Sequence, residues 1–244
     1  MKFLRYRKDK PEYRGILDGE NIIRVNGTIF HDYSLTTESE KYSDVEILTP
    51  IIPSKIIGAR ANYGAKNSLE IPKLFMKPQS SIIATKEGII YPENEKSVRV
   101  EGELAVIIGK KCSKVTAEHA MHYVLGFTIA NDVTSPSVDS DITVTLGKFY
   151  DTYLPIGPYI NTDVEYNNLN ITTYKNNEVV QSGNTKDLIF SVEELISYIS
   201  SVTTLLPGDV ILTGTPGESC EVKVGDIIRI EIDELGVLEN HIIK

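Results

Sequence analysis

The sequence predicts a β-dominated α+β protein, and three observations support this fold class. Short runs of β-branched and alternating apolar residues recur along the 244-residue chain. Turn dipeptides that tolerate positive φ, such as Asp18-Gly19 and Asn26-Gly27, separate these runs. Only two segments show the period of an amphipathic helix. The length is sufficient for one substantial domain with a small additional module.

The N-terminal residues predict a small β module. Its expected strands cover residues 2–7, 13–17, 21–25 and 28–31. Residues 35–46 are polar and charged, and an apolar stretch begins again at Leu48. This change in composition places the module boundary within residues 43–54. We therefore expect a β module over residues 1–50 and a main body over residues 51–244.

The main body predicts further strands and two helices. The expected strands cover residues 98–108, 126–133, 171–174, 178–181, 210–212 and 227–232, and Asn176-Asn177 favours a hairpin turn. The first helix is expected over residues 116–124. Ser191 and Glu194 form the pattern of a capping box at the start of the second helix, because each side chain can bind the other residue's backbone N–H.

Composition excludes several functional classes. The chain has 25 Lys+Arg and 34 Asp+Glu, a net charge of -9, and its basic residues are scattered, so we expect no nucleic-acid partner. The sequence contains no run of 18 apolar residues, so we expect no membrane span. The N-terminus lacks the apolar segment of a secretory signal, and Cys112 and Cys220 do not suggest a disulfide framework. These features predict a cytoplasmic protein.

Two glutamates at the start of a predicted strand form a first candidate site. A strand period of two places Glu101 and Glu103 on the same face. Residues 105–108 are continuously apolar, so this strand is expected to enter the core. Adjacent like charges repel unless a cation neutralises them. A solvated strand edge is the alternative interpretation, because the Glu-x-Glu pattern is common.

Asp132 adds a third oxygen ligand. It follows the largely apolar run 127–131, and functional side chains often lie at the end of a buried strand. Three carboxylates without a nearby His or Cys suit Mg²⁺ or Mn²⁺ better than Zn²⁺, whereas Ca²⁺ usually requires more ligands. The residues therefore predict a magnesium or manganese site.

Five blocks of the sequence resemble one known family, the fumarylacetoacetate hydrolase family. They occur in order from about residue 55 to residue 239, roughly three quarters of the chain. The blocks read EGELAVIIG (101–109), IANDV (129–133), GKFYDTYLPIGP (147–158), GNTKDLIFSV (183–192) and PGDVILTGTP (207–216). The resemblance implies a catalytic domain of mixed β-roll type and a homodimer.

The resemblance also implies a site and a reaction class. It implies one Mg²⁺ or Mn²⁺ per active site, held by Glu101, Glu103 and Asp132, and a 2-oxo acid or its enol as the small-molecule substrate. Lys148 matches the active-site lysine of the family, and Thr215 matches a residue that contacts substrate. The residues alone favour a solvated strand lysine and a plain turn at these two positions. Family members catalyse C–C hydrolysis, decarboxylation or isomerisation.

The segment after Asn62 and Tyr63, two expected substrate contacts, departs from the family pattern. The family places a His four residues after the Asn and a Glu three residues later, and this pair activates water. This chain has Lys66 and Leu69 at those positions. Glu70, one position late, could replace the Glu, and Lys66 could act as a base if burial lowered its pKa.

A second departure follows Val133. The family pattern Ser-Ala-Arg-Asp-x-Gln reads TSPSVD here, so Pro136 replaces the Arg and Asp139 takes the place of the Gln in the expected substrate contact. The substrate contacts of this chain are therefore expected to differ from those of the family.

The missing His/Glu pair favours isomerisation over hydrolysis. Hydrolysis requires a positioned and activated water, whereas tautomerisation requires only a proton donor and a proton acceptor. We expect a tautomerase or isomerase of a 2-hydroxy-2-enoic or 2-oxo dicarboxylic acid, similar to 2-hydroxyhepta-2,4-diene-1,7-dioate isomerases of aromatic compound catabolism. Acylpyruvate-type hydrolysis, oxaloacetate decarboxylation and an inactive metal-binding relative are the alternatives.

Overall fold

The computed structural model describes residues 1–66, 68–136 and 146–244. Within these residues the strands are β1 (Lys2–Arg7), β2 (Glu12–Asp18), β3 (Asn21–Gly27), β4 (Tyr33–Lys41), β5 (Glu46–Leu48), β6 (Ile56–Arg60), β7 (Lys73–Lys77), β8 (Ile82–Ile83), β9 (Gly88–Ile90), β10 (Val98–Val100), β11 (Gly102–Ile108), β12 (Val124–Asn131), β13 (Leu154–Asn161), β14 (Asn170–Lys175), β15 (Glu178–Asn184), β16 (Val210–Leu212), β17 (Cys220–Val222), β18 (Ile227–Ile232) and β19 (Gly236–Ile243). The α-helices are α1 (Ala117–Ala120) and α2 (Val192–Val202). Short 3₁₀ turns cover Tyr42–Asp44, Gln79–Ser81, Met121–Tyr123, Leu146–Lys148, Tyr166–Asn168 and Thr185–Asp187. Neither α-helix has the length and apolar character that a membrane-spanning helix requires.

The strands form one large mixed sheet and one smaller sheet. The large sheet has the order β4-β3-β2-β1-β13-β12-β11-β16-β6-β7, with β5 beside β1 and β8 beside β13. Its pairs are antiparallel except for β16 with β6 and β13 with β8. The smaller sheet has the order β15-β14-β18-β19-β9, and β10 pairs separately with β17. The prediction of a β-dominated α+β fold is confirmed.

The central strands of the large sheet are buried on both faces. Every residue of β11 is buried. Leu104, Val106 and Ile108 pack in the core that contains residues of α2 and β18. Ala105 and Ile107, which alternate with them, pack in a second core on the opposite face. Burial on both sides explains why this strand is a continuous apolar run in the sequence.

The N-terminal strands continue the large sheet, because β1 pairs with β13 in the register Lys2↔Asn161. The strand predicted at residues 28–31 is wrong, since these residues form turns, and β4 lies instead in the segment judged polar from the sequence. At the edge of the sheet, β4 is mostly exposed and needs no alternating apolar residues. The boundary near residue 50 stays a prediction.

The two helix predictions have different outcomes. The capping box of α2 is confirmed, since Glu194 donates its backbone N–H to the Ser191 hydroxyl and accepts the Ser191 N–H at 2.7 Å. The first helix is shorter than predicted. It ends in the 3₁₀ turn Met121–Tyr123, and Val124 already belongs to β12. The predicted strand over residues 98–108 is interrupted at Glu101, where the chain passes from β10 to β11.

Candidate active site

The pairing of β11 with β12 brings the three predicted carboxylates together. The antiparallel register places Gly102 opposite Asn131, so the first residues of β11 lie beside the last residues of β12. Glu101 and Asp132 lie just outside these strand ends, and the Asp132 N–H donates to the Glu101 carbonyl at 2.9 Å. Carboxylate oxygens of Glu101, Glu103 and Asp132 all lie within 4.8 Å of one another. We call this group the acidic triad.

Two buried lysines complete the cluster. The Lys148 ammonium donates to Asp132, to the Thr134 hydroxyl at 2.8 Å and to Glu101 at 3.3 Å. The Lys77 ammonium donates to the other Asp132 oxygen at 2.5 Å and to the Val133 carbonyl at 2.8 Å. Lys77 and Lys148 are only 2% and 5% exposed. Burying an ammonium group is costly unless it is paired, so both lysines depend on the triad for their place in the fold.

Sequence reasoning missed Lys77, because the alternation of β7 identifies its buried face only once the burial of Phe75 is known. Phe75 and Lys77 are the buried residues of β7, whereas Lys73, Leu74 and Met76 are exposed. The alternation of the strand therefore assigns Lys77 to the same face as Phe75. A lysine on the buried face of a strand requires a buried anion as its partner, and here that anion is Asp132.

The pKa values of the buried carboxylates in the cluster shift in opposite directions. Burial, with the neighbouring charges of Asp132 and Glu101, raises the pKa of Glu103 well above its usual value. Burial alone would also raise the pKa of Asp132, but Lys148 and Lys77 together outweigh it and hold that pKa below its usual value. Burial lowers the pKa of Lys77 to about 8 despite its partner.

The donor set fits a hard divalent cation. Three carboxylates face two ammonium groups, which leaves an excess of one negative charge when all five groups are ionised. The repulsion that raises the pKa of Glu103 would be relieved by a cation among these oxygens. Carboxylate oxygens without nitrogen or sulfur ligands are typical of Mg²⁺ and Mn²⁺ sites. The triad could hold either ion.

A turn after β16 forms a second wall of the site. Because β16 pairs with β11, the residues that follow it reach the triad. The Gly214 N–H donates to Glu103 at 2.7 Å, and the Thr215 hydroxyl donates to the Gly102 carbonyl at 2.9 Å. Gly214 has a φ of +97°, and a Cβ there would lie 3.0 Å from the Ala59 carbonyl oxygen, so this position requires glycine.

Asn62 and Tyr63 differ in how their polar atoms are used. The Asn62 amide donates to the carbonyls of Phe190 and Thr213 at 3.0 and 2.9 Å, and its oxygen accepts the Phe190 N–H at 2.8 Å. Asn62 thus anchors the backbone around the site. The Tyr63 hydroxyl is buried and has no hydrogen-bond partner among the described residues. Burial, followed by the charge of Glu103, raises the Tyr63 pKa, so this hydroxyl stays a proton donor that a ligand could use.

The remaining predicted residues make no hydrogen bond or ion pair with the triad within the described residues, or lie outside them. Lys66 is exposed, and its ammonium donates to the carbonyls of Leu188 and Ile189 at 2.5 and 3.3 Å. Glu70 is exposed, and no hydrogen bond or ion pair within the described residues joins it to the triad. Asp139 lies outside the described residues. The catalytic roles of Lys66 and Glu70 and the substrate contact of Asp139 stay predictions.

A cavity of about 970 Å³ opens beside the triad. Tyr63, Glu101 and Thr215 line it, together with two arginines, Arg60 and Arg99. The cavity therefore brings one ligand of the acidic triad together with two guanidinium groups, while the exposed acids Asp187 and Glu218 also line it. This combination could bind an anionic small molecule next to a metal ion.

Two family models match the chain. The model described as fumarylacetoacetate (FAA) hydrolase C-terminal matches residues 57–243. A second model, described as Rv2993c-like, N-terminal, matches residues 1–50. The resemblance inferred from the five sequence blocks is confirmed.

Relatives with names that state an activity are similar over most of their length. A rat protein named oxaloacetate tautomerase Fahd2a, mitochondrial, is 38% identical over 220 residues, which are 82% of this chain and 70% of the rat protein. The structure of 5-carboxymethyl-2-hydroxymuconate delta-isomerase from Mycobacterium smegmatis has a TM-score of 0.95 and 34% identity, covering 100% of this chain and 99% of that chain. The structure of maleylpyruvate hydrolase from Sphingobium sp. SYK-6 in complex with manganese (II) ion and pyruvate has a TM-score of 0.86 and 27% identity, with the same coverage.

Proposed function

This chain belongs to the fumarylacetoacetate hydrolase family, and we propose that it is a Mg²⁺- or Mn²⁺-dependent tautomerase or isomerase of a 2-oxo dicarboxylic acid or its 2-hydroxy-2-enoic form. The observation that carries the proposal is the buried cluster in which the acidic triad meets Lys77 and Lys148 beside an open cavity. The similarity to a protein named oxaloacetate tautomerase and to a muconate isomerase structure supports the same reaction class.

Glu101, Glu103 and Asp132 are the residues that would hold the cation. When bound, the cation supplies Lewis-acid stabilisation of negative charge on the 2-oxo oxygen of the substrate. The similarity to a hydrolase structure that contains manganese and pyruvate supports this assignment. Within the chain, the Gly214 N–H fixes the Glu103 carboxylate, and Lys77 fixes Asp132 from the side opposite Lys148. The ligand oxygens are therefore oriented by the protein before any substrate enters.

Proton transfer is assigned to Lys148, whose ammonium would give a proton to the carbon of the enol and then take the proton that leaves the enol oxygen. Tautomerisation moves a proton between the carbon next to the 2-oxo group and the oxygen of that group, so it requires a nitrogen or oxygen that can hold the proton beside both atoms. The Lys148 ammonium contacts Glu101, Asp132 and the Thr134 hydroxyl within the cluster. The protonated Tyr63 hydroxyl would donate a hydrogen bond to the enolate oxygen, which stabilises the charge that develops there.

Hydrolysis is less well supported by this chain's own residues. Cleavage of a C–C bond requires an activated water, and the family pattern supplies it from the segment after Asn62. Here the Lys66 ammonium of that segment is bound to backbone carbonyls of the segment that precedes α2. The similarity to a maleylpyruvate hydrolase structure nevertheless favours acylpyruvate-type hydrolysis as the second candidate.

The decay of the oxaloacetate enol, followed by ultraviolet absorbance with Mg²⁺, tests the proposal. We expect the wild type to accelerate the decay without producing pyruvate, and Glu103→Gln to reduce the rate to that of the uncatalysed reaction. Glu118→Gln is the matched control, because Glu118 is an exposed glutamate of α1, and it should match the wild type.

Other outcomes would replace the proposal. Release of pyruvate from acylpyruvates at an enzymatic rate, with unchanged enol decay, would identify a hydrolase. Release of pyruvate and CO₂ from oxaloacetate would identify a decarboxylase. Equal enol decay with the wild type and with Glu103→Gln would favour an inactive metal-binding relative.

A homodimer is part of the proposal. Leu74 and Met76 are 38% and 47% exposed on β7, which is an edge strand of the large sheet, and an exposed apolar edge supports self-association. Light scattering coupled to size-exclusion chromatography tests it, and a monomer mass at micromolar concentration would contradict it. The cytoplasmic location and the role in aromatic compound catabolism stay predictions.

A further inference from the structure

Two arginines in the wall of the cavity have no role in the proposed chemistry. Arg99 lies on β10, two residues before Glu101, and is partly buried. Arg60 is the last residue of β6 and is exposed. Both line the cavity that Glu101, Tyr63 and Thr215 also line. A substrate that reaches Glu101 therefore enters a space with two guanidinium groups.

The position of Arg99 is fixed relative to the acidic triad. Val98 and Val100 are fully buried, so Arg99 lies on the opposite face of β10, two residues before Glu101 in the sequence. Its backbone exchanges two hydrogen bonds with Thr134, at 2.8 and 2.9 Å, and Lys148 donates to the Thr134 hydroxyl. The Arg99 guanidinium itself donates to the Ser219 hydroxyl at 3.0 Å.

Neither arginine has an anionic partner within the described residues. No carboxylate oxygen among them lies within 4.0 Å of either guanidinium, although Asp187 and Glu218 also line the cavity. These two acids are exposed, so solvent screens them, whereas Arg99 is partly buried. A partly buried guanidinium with a single neutral acceptor keeps several N–H donors available for an anion.

The charges of the site show which anion suits this position. When all five groups are ionised, the cluster of the acidic triad and the two lysines has an excess of one negative charge, and a divalent cation would make it positive by one. The carboxylate next to the 2-oxo group of a substrate would balance that charge. A second carboxylate needs a further cation, and Arg99 can supply it from the wall of the cavity that Glu101 also lines.

We propose that Arg99, assisted by Arg60, binds the distal carboxylate of a 2-oxo dicarboxylate and makes the site select dicarboxylates over monocarboxylates. This inference rests on the proposed function, because it assumes that the 2-oxo end of the substrate lies at the acidic triad. The planar guanidinium can bind a carboxylate through two parallel hydrogen bonds. Arg99 is therefore a specificity-determining residue and takes no part in proton transfer.

Calorimetry of the full-length protein in Mg²⁺ tests the inference with two ligands of the same five-carbon skeleton. 2-Oxoglutarate carries the distal carboxylate, and 2-oxopentanoate lacks it. We expect the wild type to bind 2-oxoglutarate about tenfold more tightly or better, since a charge-assisted hydrogen bond has at least this effect. Arg99→Gln should weaken only the binding of 2-oxoglutarate, so the ratio of the two affinities should fall to about one. Arg99→Lys should restore part of the preference for 2-oxoglutarate.

Arg14→Gln is the matched control. Arg14 is an exposed arginine of β2 that lines a different cavity, and its replacement should leave the affinity ratio unchanged. A wild-type ratio near one with clear binding of both ligands would overturn the inference and leave the proposed function intact. An unchanged ratio in Arg99→Gln, or an equal loss for both ligands, would also overturn it. Binding of neither ligand to the wild type would contradict the proposed function itself.

Discussion

Two buried aspartates, Asp132 and Asp209, pair with lysines in contrasting ways. Asp209 is bound by the Lys55 ammonium, by the Ser54 hydroxyl at 2.5 Å and by the backbone N–H groups of Lys55 and Leu206 at 3.2 and 2.7 Å. Within the described residues, the Asp132 carboxylate accepts only from Lys77 and Lys148. Asp209 is therefore satisfied by backbone and hydroxyl donors as well as by an ammonium group, whereas Asp132 is satisfied by two ammonium groups.

The difference distinguishes a structural ion pair from a site that can still bind a cation. Asp209 and Lys55 balance each other, and the backbone donors occupy the other lone pairs of the carboxylate. Asp132 belongs to a group of three carboxylates and two ammonium groups, in which burial and repulsion raise the pKa of Glu103. A buried charge excess is costly unless a ligand compensates it. The comparison therefore predicts that substitutions at the two aspartates affect different properties.

The largest effect is expected from Asp132→Asn. This change removes one proposed cation ligand, which is also the only carboxylate among the described residues that pairs with Lys77, so enol tautomerisation should fall by about 10³-fold or more. The free energy of unfolding should also fall by about 3 kcal/mol, because buried ammonium groups lose their partner. The enol assay and urea denaturation measure the two effects. Normal activity in a stably folded Asp132→Asn protein would contradict the proposed site.

Asp209→Asn should reduce stability without a specific effect on the site. The substitution leaves Lys55 without its buried partner, and we expect a loss of about 3 kcal/mol in the free energy of unfolding. The affinity for Mg²⁺, measured by calorimetry at a temperature where the variant is folded, should match the wild type. A large loss of Mg²⁺ affinity would show that the two aspartates are coupled, and the comparison would fail.

The sequence predicted the part of the site at the neighbouring ends of β11 and β12. The strand period could place Glu103, which lies on β11, and the apolar runs of the two strands pointed to Glu101 and Asp132, which flank their ends. The helix cap at Ser191 was predictable for the same reason, since capping depends on residues close in sequence. Local patterns therefore predicted several of the strands, the second helix and the candidate ligands.

The remaining parts depend on contacts between distant segments. Lys77 lies 55 residues from Asp132, and no local pattern connects them. The position of Lys66 depends on carbonyl groups 122 and 123 residues away, and its exposure could not be read from its neighbours. The edge strand β4 was missed because an exposed strand needs no apolar alternation. Contacts between distant segments thus determine the features that sequence periodicity cannot predict.

Addition of Mg²⁺ should stabilise the wild type through the triad. A ligand present at a hundred times its dissociation constant stabilises the folded state by about 2.7 kcal/mol. For a chain of this size, such a change raises Tm by about 5 to 11 °C. Calorimetric melting with Mg²⁺ and with EDTA measures the shift. Glu103→Gln should lose most of it, while its metal-free Tm stays equal to or above that of the wild type, since one of the repelling charges is gone. An equal shift in both proteins would place the cation elsewhere.

The smallest effect is expected from Ser191→Ala, which tests whether the site depends on the stability of its surroundings. The Ser191 hydroxyl accepts the Glu194 N–H at the start of α2, and loss of such a cap costs about 1 kcal/mol, or about 2 to 4 °C in Tm. The neighbouring Phe190 backbone anchors Asn62, yet these bonds involve main-chain atoms that the substitution leaves in place. Enol decay and Mg²⁺ affinity should therefore match the wild type below the melting transition. A loss of activity larger than the loss of folded protein would show that the cap helps to position Asn62. The geometry of the acidic triad would then depend on the start of α2 as well as on the bonds between Asp132 and its two lysines.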